Sequence, residues 1–167
     1  MRDSCIGTQI ARSEFLVAGA GLHSVRMADT RSDQRNPERL ELEDLTSIQP
    51  GLARLMPEVG HRFWKCYYAA RAQNWALAAW QLGEMRKLLR LGEVTRPRYT
   101  ADLESFIQED VEPLLQAIDA RDLSLFERLY RAAVDTANDL HRRWNKAFIV
   151  WKLPDHPPPD LDLTPVD

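Results

Sequence analysis

The sequence predicts an all-α protein, folded as an up-down-up-down antiparallel four-helix bundle. Four segments place apolar residues at the i, i+3, i+4 spacing of a helix with one buried face. The connections between these segments are short, which favours antiparallel neighbours. Neither an alternating strand pattern nor an internal repeat is present. With 167 residues, the chain is long enough to bury one core without disulfides or metals.

Composition divides the chain into three parts. We expect residues 1–45 to form a flexible N-terminal arm, because the polar stretch over 29–39 is densely charged and contains almost no large apolar side chains. Residues 46–147 carry the helical patterns and are predicted to be the bundle. Residues 148–167 are predicted to form an extended, proline-rich tail that packs on the bundle.

The first two helices are predicted from about Pro50 to Ala72 and from Asn74 to about Leu91. Pro57 either kinks the first helix or marks its true start. Asn74 suits an N-cap for the second helix, and Gly92 is expected to end it.

The third and fourth helices follow after residue 96. Thr100 is the expected cap of the third helix, and Pro113 should bend or break it, because proline removes one backbone hydrogen bond. The segment 124–127 reads as a capping box that opens the fourth helix. The buried face of that helix is predicted to consist of Phe126, Tyr130, Ala133, Ala137, Leu140, His141 and Trp144.

Charge and motif content argue against several functions. A net charge of −3 and a pI near 5.8 offer no attraction for nucleic acid or an anionic membrane. No apolar run approaches the ~18 residues of a membrane span.

The chain has no nucleophile elbow and no phosphate-binding glycine loop, so we expect no enzymatic activity. A single Glu-x-x-His pair, Glu58 and His61, lacks the second copy that di-iron bundles need, so no metal site is predicted.

The segment Ala137–His141 has the shape of a c-type haem attachment motif, Cys-x-x-Cys-His, in which Ala137 and Leu140 replace both cysteines. Together with further stretches in the same order, it resembles a divergent branch of the cytochrome c-prime/c556-like four-helix-bundle family. Those stretches are Leu55-Met56, residues 65–70, 74–78 and 81–85, residues 117–126, and the tail from Phe148 through Pro159.

The resemblance implies His141 as the iron ligand and Met56 as a ligand on the opposite face, in both cases only if haem is bound. Without cysteines no covalent attachment is possible, and large aromatic side chains are expected to fill the slot, so we expect no cofactor. The predicted function is a haem-free binding or protein-interaction module, for a redox protein or a small apolar ligand. The alternative is a protein that binds haem non-covalently through His141, for electron transfer or gas sensing. Taken alone, His141 is typical of a helix end and Met56 of a core filler.

Partner and compartment follow mainly from the resemblance. It implies a homodimer through the first two helices, for which Trp64 and Tyr68 offer an aromatic face. It also favours the periplasm. The apolar patch over residues 15–22 has the length of a signal-peptide core, but Asp3 and Glu14 dilute its positive flank, which favours the cytoplasm. Both compartments remain open.

Overall fold

A computed structural model describes residues 41–165, and every regular element in that range is helical, which confirms the predicted all-α class. Most of the predicted arm lies outside the described residues. A helix, Leu42–Ile48, runs across the predicted boundary at residue 45. The elements are α1 (Leu42–Ile48), α2 (Leu52–Arg71), α3 (Trp75–Thr95), a 3-10 turn (Pro97–Tyr99), α4 (Thr100–Phe106), a π-helical turn (Ile107–Val111), α5 (Glu112–Asp119) and α6 (Leu123–Arg143).

Helices α2 and α3 run antiparallel, with Asn74 capping the start of α3. The Asn74 side chain accepts a hydrogen bond from the backbone N–H of Leu77 at 3.0 Å. The predicted end at Gly92 is wrong, since α3 continues to Thr95. A Cβ on Gly92 would lie 3.0 Å from Leu52 and 3.2 Å from Leu103. This glycine therefore permits close helix packing and does not terminate the helix.

Proline residues interrupt neither α2 nor the third helical segment. Pro57 lies inside α2, so it does not mark the start of that helix. Of the two outcomes predicted at Pro113, a bend or a break, the break does not occur, because α4, the π-helical turn and α5 follow one another without a gap. The backbone N–H of Glu112 donates to the carbonyl of Ile107, five residues back. This wider turn accommodates a proline that cannot donate a hydrogen bond itself.

Two predicted caps are replaced by neighbouring residues. Thr100 is the first residue of α4 rather than its cap, and its hydroxyl donates to the carbonyl of Glu93 at 3.1 Å. Asp122, not the predicted box at 124–127, caps α6 by accepting from the backbone N–H of Leu125 at 2.9 Å. Aspartate competes well for this position because its carboxylate also interacts favourably with the helix dipole.

The core lies between α2, α3, the α4–α5 segment and α6. The Tyr130 hydroxyl of α6 donates to the carbonyl of Phe63 in α2 at 3.1 Å. Thr136 of α6 donates to Asp110 in the π-helical turn at 3.1 Å. The largest fully buried side chains are Tyr130, Phe126, Leu82, Met85, Leu89, Ile107, Leu114 and Ile118.

The described part of the tail, residues 148–165, has no regular secondary structure and crosses α2. Its carbonyl groups accept hydrogen bonds from side chains of the helices. These bonds are Trp64 Nε1 to His156 (3.0 Å), the Tyr68 hydroxyl to Pro154 (2.9 Å) and Asn74 Nδ2 to Thr164 (3.0 Å). Lys65 also pairs with Asp160, and this hydrogen bond lowers the pKa of the Asp160 carboxyl.

Candidate functional site

His141 lies half-buried in the last turn of α6 and contacts the tail. Its Nδ1 atom is 3.1 Å from the carbonyl oxygen of Ile149. Because a carbonyl can only accept, Nδ1 carries the hydrogen in this contact. In the neutral imidazole this places the lone pair on Nε2. The side chain that the resemblance identifies as an iron ligand therefore holds a backbone carbonyl of its own chain.

Asn138, one helical turn before His141, is also hydrogen-bonded to the tail. Its Nδ2 donates to the carbonyl of Trp151 at 3.0 Å, and its Oδ1 accepts from the backbone N–H of Trp151 at 2.8 Å. One side-chain amide therefore satisfies both backbone groups of one tail residue. We call Asn138 and His141 the tail clamp.

The tail clamp places the Trp151 indole against α2. The indole stacks on Phe63 with ring centroids 5.4 Å apart and an interplanar angle of 29°. It also covers Gly60, where an added Cβ would lie 2.7 Å from the indole nitrogen. Any side chain larger than hydrogen at position 60 would push the indole away. The absence of a side chain at Gly60 therefore leaves the space that the Trp151 indole occupies.

The aromatic rings of α2 and α6 are in direct contact. The Phe63 and Tyr130 rings are 4.1 Å apart, and the Tyr67 and Tyr130 rings 4.8 Å. A porphyrin inserted between two rings needs about 7–8 Å, twice an ordinary carbon–carbon contact distance. The two positions of the missing cysteines, Ala137 and Leu140, pack against the same core. These residues leave no flat slot between the rings, so haem fits here only if side chains move.

Met56 is half-buried and packs against the core from the second turn of α2. The structure thus gives His141 a contact with the Ile149 carbonyl and places Met56 against core side chains.

Sequence reasoning overlooked Asn138 and Gly60, and it predicted only that the tail, which contains Trp151, packs on the bundle. Asn138 and His141 are three residues apart, so both face the same side of α6. That spacing was visible in the sequence. Their common partner was not, because the tail contacts only become apparent once residues 149–151 are placed beside α6.

Two groups in the core have altered acidities. Burial raises the pKa of the Cys66 thiol far above its ordinary range, and burial also raises the pKa of the Tyr130 hydroxyl well above its ordinary value. Both groups are neutral at physiological pH. A fully buried, protonated thiol is a poor nucleophile, so Cys66 serves as a small apolar side chain in the core.

A shallow cleft of about 180 Å³ lies between α2, α3 and the tail, lined by Glu58, His61, Arg62, Lys65, Trp80, Gln81 and Leu161. Its charged groups already have partners within the chain. Arg62 pairs with Glu58 at 2.9 Å and donates to Gln81 at 3.3 Å, while Lys65 pairs with Asp160. Pairing leaves no excess charge to attract an ionic ligand.

Over residues 41–165, none of the helices combines the length and the apolar character that crossing a bilayer requires. In the same range, no three His, Cys, Asp or Glu side chains are grouped so that they could hold a metal ion.

Comparisons with protein-family models, with curated proteins and with solved structures found no match to this chain.

Proposed function

We propose that this protein is a haem-free helical bundle that acts by binding another molecule, either a redox protein or a small apolar ligand. The observation that carries the proposal is the tail clamp. Asn138 and His141 hold residues 149–151, and the Trp151 indole stacks on the Phe63 ring.

Direct contact between the rings supports the same proposal. Separating Phe63 from Tyr130 would break the hydrogen bond from the Tyr130 hydroxyl to the Phe63 carbonyl. That bond lies in the interior, where an unpaired polar group costs about 1–3 kcal/mol. Haem insertion would have to overcome this cost together with the lost ring contacts.

The proposed architecture is the cytochrome c-prime-like up-down-up-down bundle, with α2, α3, the α4–α5 segment and α6 as its four helices. Cross-helix contacts support it. Gly92 near the end of α3 approaches Leu52 at the start of α2. Arg143 at the end of α6 pairs with Asp102 at the start of α4.

One observation favours the alternative, a protein that binds haem reversibly through His141. Metal-bound histidines commonly donate the hydrogen of the second ring nitrogen to a backbone carbonyl, which fixes the tautomer. The contact from Nδ1 of His141 to Ile149 is of this type, and it would leave Nε2 to coordinate iron. In this reading, Trp151 would move aside when haem enters.

An absorbance titration with hemin separates the two functions. We expect no Soret band characteristic of a coordinated haem when hemin is added to equimolar protein. His141→Ala should behave like the wild type, and His156→Ala provides a matched control at an exposed histidine. A Soret band that is lost in His141→Ala but kept in His156→Ala would overturn the haem-free proposal and establish the alternative.

A further inference from the structure

Exposed apolar side chains are concentrated at one end of the described structure. This end is where α2 begins, α3 ends, α4 begins and α6 ends. Among the described residues, all the exposed large apolar side chains except Trp80 belong to elements that meet here. We call them the terminal apolar surface: Leu42, Leu45 and Ile48 of α1, Leu91 and Val94 of α3, and Phe148, Ile149 and Val150 after α6.

Helix α1 contributes a row of exposed apolar side chains to this surface. Leu42, Leu45 and Ile48 recur every three residues, and they are 78, 43 and 58% exposed. None of the residues of α1 is buried. A hydrogen bond from the Arg96 guanidinium to the Gln49 carbonyl, at 3.4 Å, holds the end of α1 near the end of α3. An isolated seven-residue helix is marginal in water, so this face gains most from a packing partner.

The segment 142–152, which we call the corner, also exposes apolar side chains. Phe148 and Val150 are 79 and 71% exposed. Trp144 fixes the position of the corner, because its ring contacts Tyr99 at 4.4 Å and its Nε1 donates to Asp102 at 2.7 Å. The corner is therefore anchored to the helices while its apolar residues face solvent.

Helix α1 and the corner carry opposite charge. Residues 41–48 include three carboxylates and no basic residue, whereas the corner includes four basic residues and no carboxylate. Arg142 and Arg143 already pair with Asp139 and Asp102. Lys146 and Lys152 form no ion pair within the described part of the chain, so they can receive carboxylates from another molecule.

We propose that a second copy of this chain docks on the terminal apolar surface as a two-fold dimer, with α1 of each copy lying on the corner of the other. In a two-fold interface, every contact is repeated by symmetry, so a chain that carries both an acidic apolar helix and a basic apolar corner complements itself.

This dimer differs from the one that the family resemblance implies, which would use α2 and α3. Trp64 and Tyr68 of α2 are hydrogen-bonded to the tail. The haem question concerns other side chains, because none of the exposed residues of the terminal apolar surface is part of the aromatic core.

Sedimentation velocity on the full-length protein with charge-reversal variants tests the proposal. Wild type should dimerise, whereas Glu43→Lys and Lys146→Glu should each weaken the dimer by about tenfold, since each places two like-charge contacts across the interface. An equimolar mixture of the two variants should restore wild-type affinity, because both contacts are complementary in the mixed dimer. Asp119→Lys, which changes an exposed charge at the opposite end by the same amount, should have no effect.

Three results would overturn the proposal. The first is a wild type that remains monomeric at high concentration, which would leave the surface to a different partner. The second is a wild-type dimer whose affinity is unchanged in both charge variants. The third is a dimer that dissociates in Trp80→Ser but not in Phe148→Ser, because Trp80 is exposed on α3 and would lie in an α2–α3 interface.

Discussion

Apolar side chains are covered on the face of α2 beneath the tail, whereas they are exposed on the terminal apolar surface. Beneath the tail, the clamp brings Trp151 down onto Phe63, and tail carbonyls receive donors from α2. At the terminal surface, Phe148 and Val150 precede the same tryptophan by only a few residues but remain exposed. The difference shows that apolar character alone does not bury a side chain in this segment. Ile149, whose carbonyl oxygen contacts His141 of α6, is 45% exposed, whereas Trp151 stacks on Phe63.

The strongest contrast is between the core and α1. Replacing Phe126, which is fully buried, with alanine should lower the free energy of unfolding by about 3–5 kcal/mol, because the change removes buried surface and leaves a cavity. Leu42→Ala, at a 78% exposed position, should change it by less than about 0.5 kcal/mol. Urea denaturation at a protein concentration low enough to avoid self-association measures both. Equal losses for the two variants would mean that α1 is packed into the core.

The next contrast lies within the tail. Trp151→Ala should lower the free energy of unfolding by about 2 kcal/mol, since the half-buried indole loses its stacking contact with Phe63. Phe148→Ala, three residues earlier, should leave it within about 0.5 kcal/mol of wild type. Thermal and urea unfolding of the matched pair provide the measurement. A loss of similar size for Phe148→Ala would show that residues 148–150 are as firmly packed as Trp151.

Sequence periodicity predicted the helical class and most of the buried faces, since the 3-4 spacing is a direct consequence of helix geometry. It failed at the end of α3 and at the caps of α4 and α6, whereas the predicted end of α2 at about Ala72 lies next to the observed end at Arg71. Helices α2, α5 and α6 are each followed by a residue with positive φ, and these residues are Gln73, Arg121 and Asn145. Glycine is the usual signal for this conformation, and only Asn145 is of a type that often replaces it. The one glycine that was interpreted as a helix stop, Gly92, instead permits close packing.

Site prediction failed for a different reason. The sequence predicts His141 on the buried face of α6, and the structure finds it half-buried. The iron expected to bind His141 came only from the family resemblance. The contact with the Ile149 carbonyl depends on the path of the tail, and that path depends on Asn138, Gly60 and Trp151 together. This arrangement places Trp151 on Gly60, which lies far away in the sequence, so no local pattern contains it.

The smallest contrast concerns the pH dependence of the core. Burial raises the pKa of the Cys66 thiol above its unfolded value, so the folded state retains a proton that the unfolded chain loses in alkali. The stability that depends on this proton is fully present below the unfolded pKa, about 8.5, and decreases by up to about 1.4 kcal/mol per pH unit above it. Between pH 8.5 and 10, urea denaturation should therefore give a steeper loss for the wild type than for Cys66→Ala.

The control for this effect is the same pair of proteins between pH 6.5 and 8, where the thiol is protonated in both states and the two slopes should agree. Above pH 10 the phenol of Tyr130 should add a further loss in both proteins, because burial raises the pKa of that hydroxyl as well. If wild type and Cys66→Ala lose stability at equal rates between pH 8.5 and 10, the thiol ionises as readily in the folded protein as in the unfolded chain. Such a result would mean that the α2–α6 interior around Cys66 admits water, and the close ring contacts that argue against a haem slot would then open in solution.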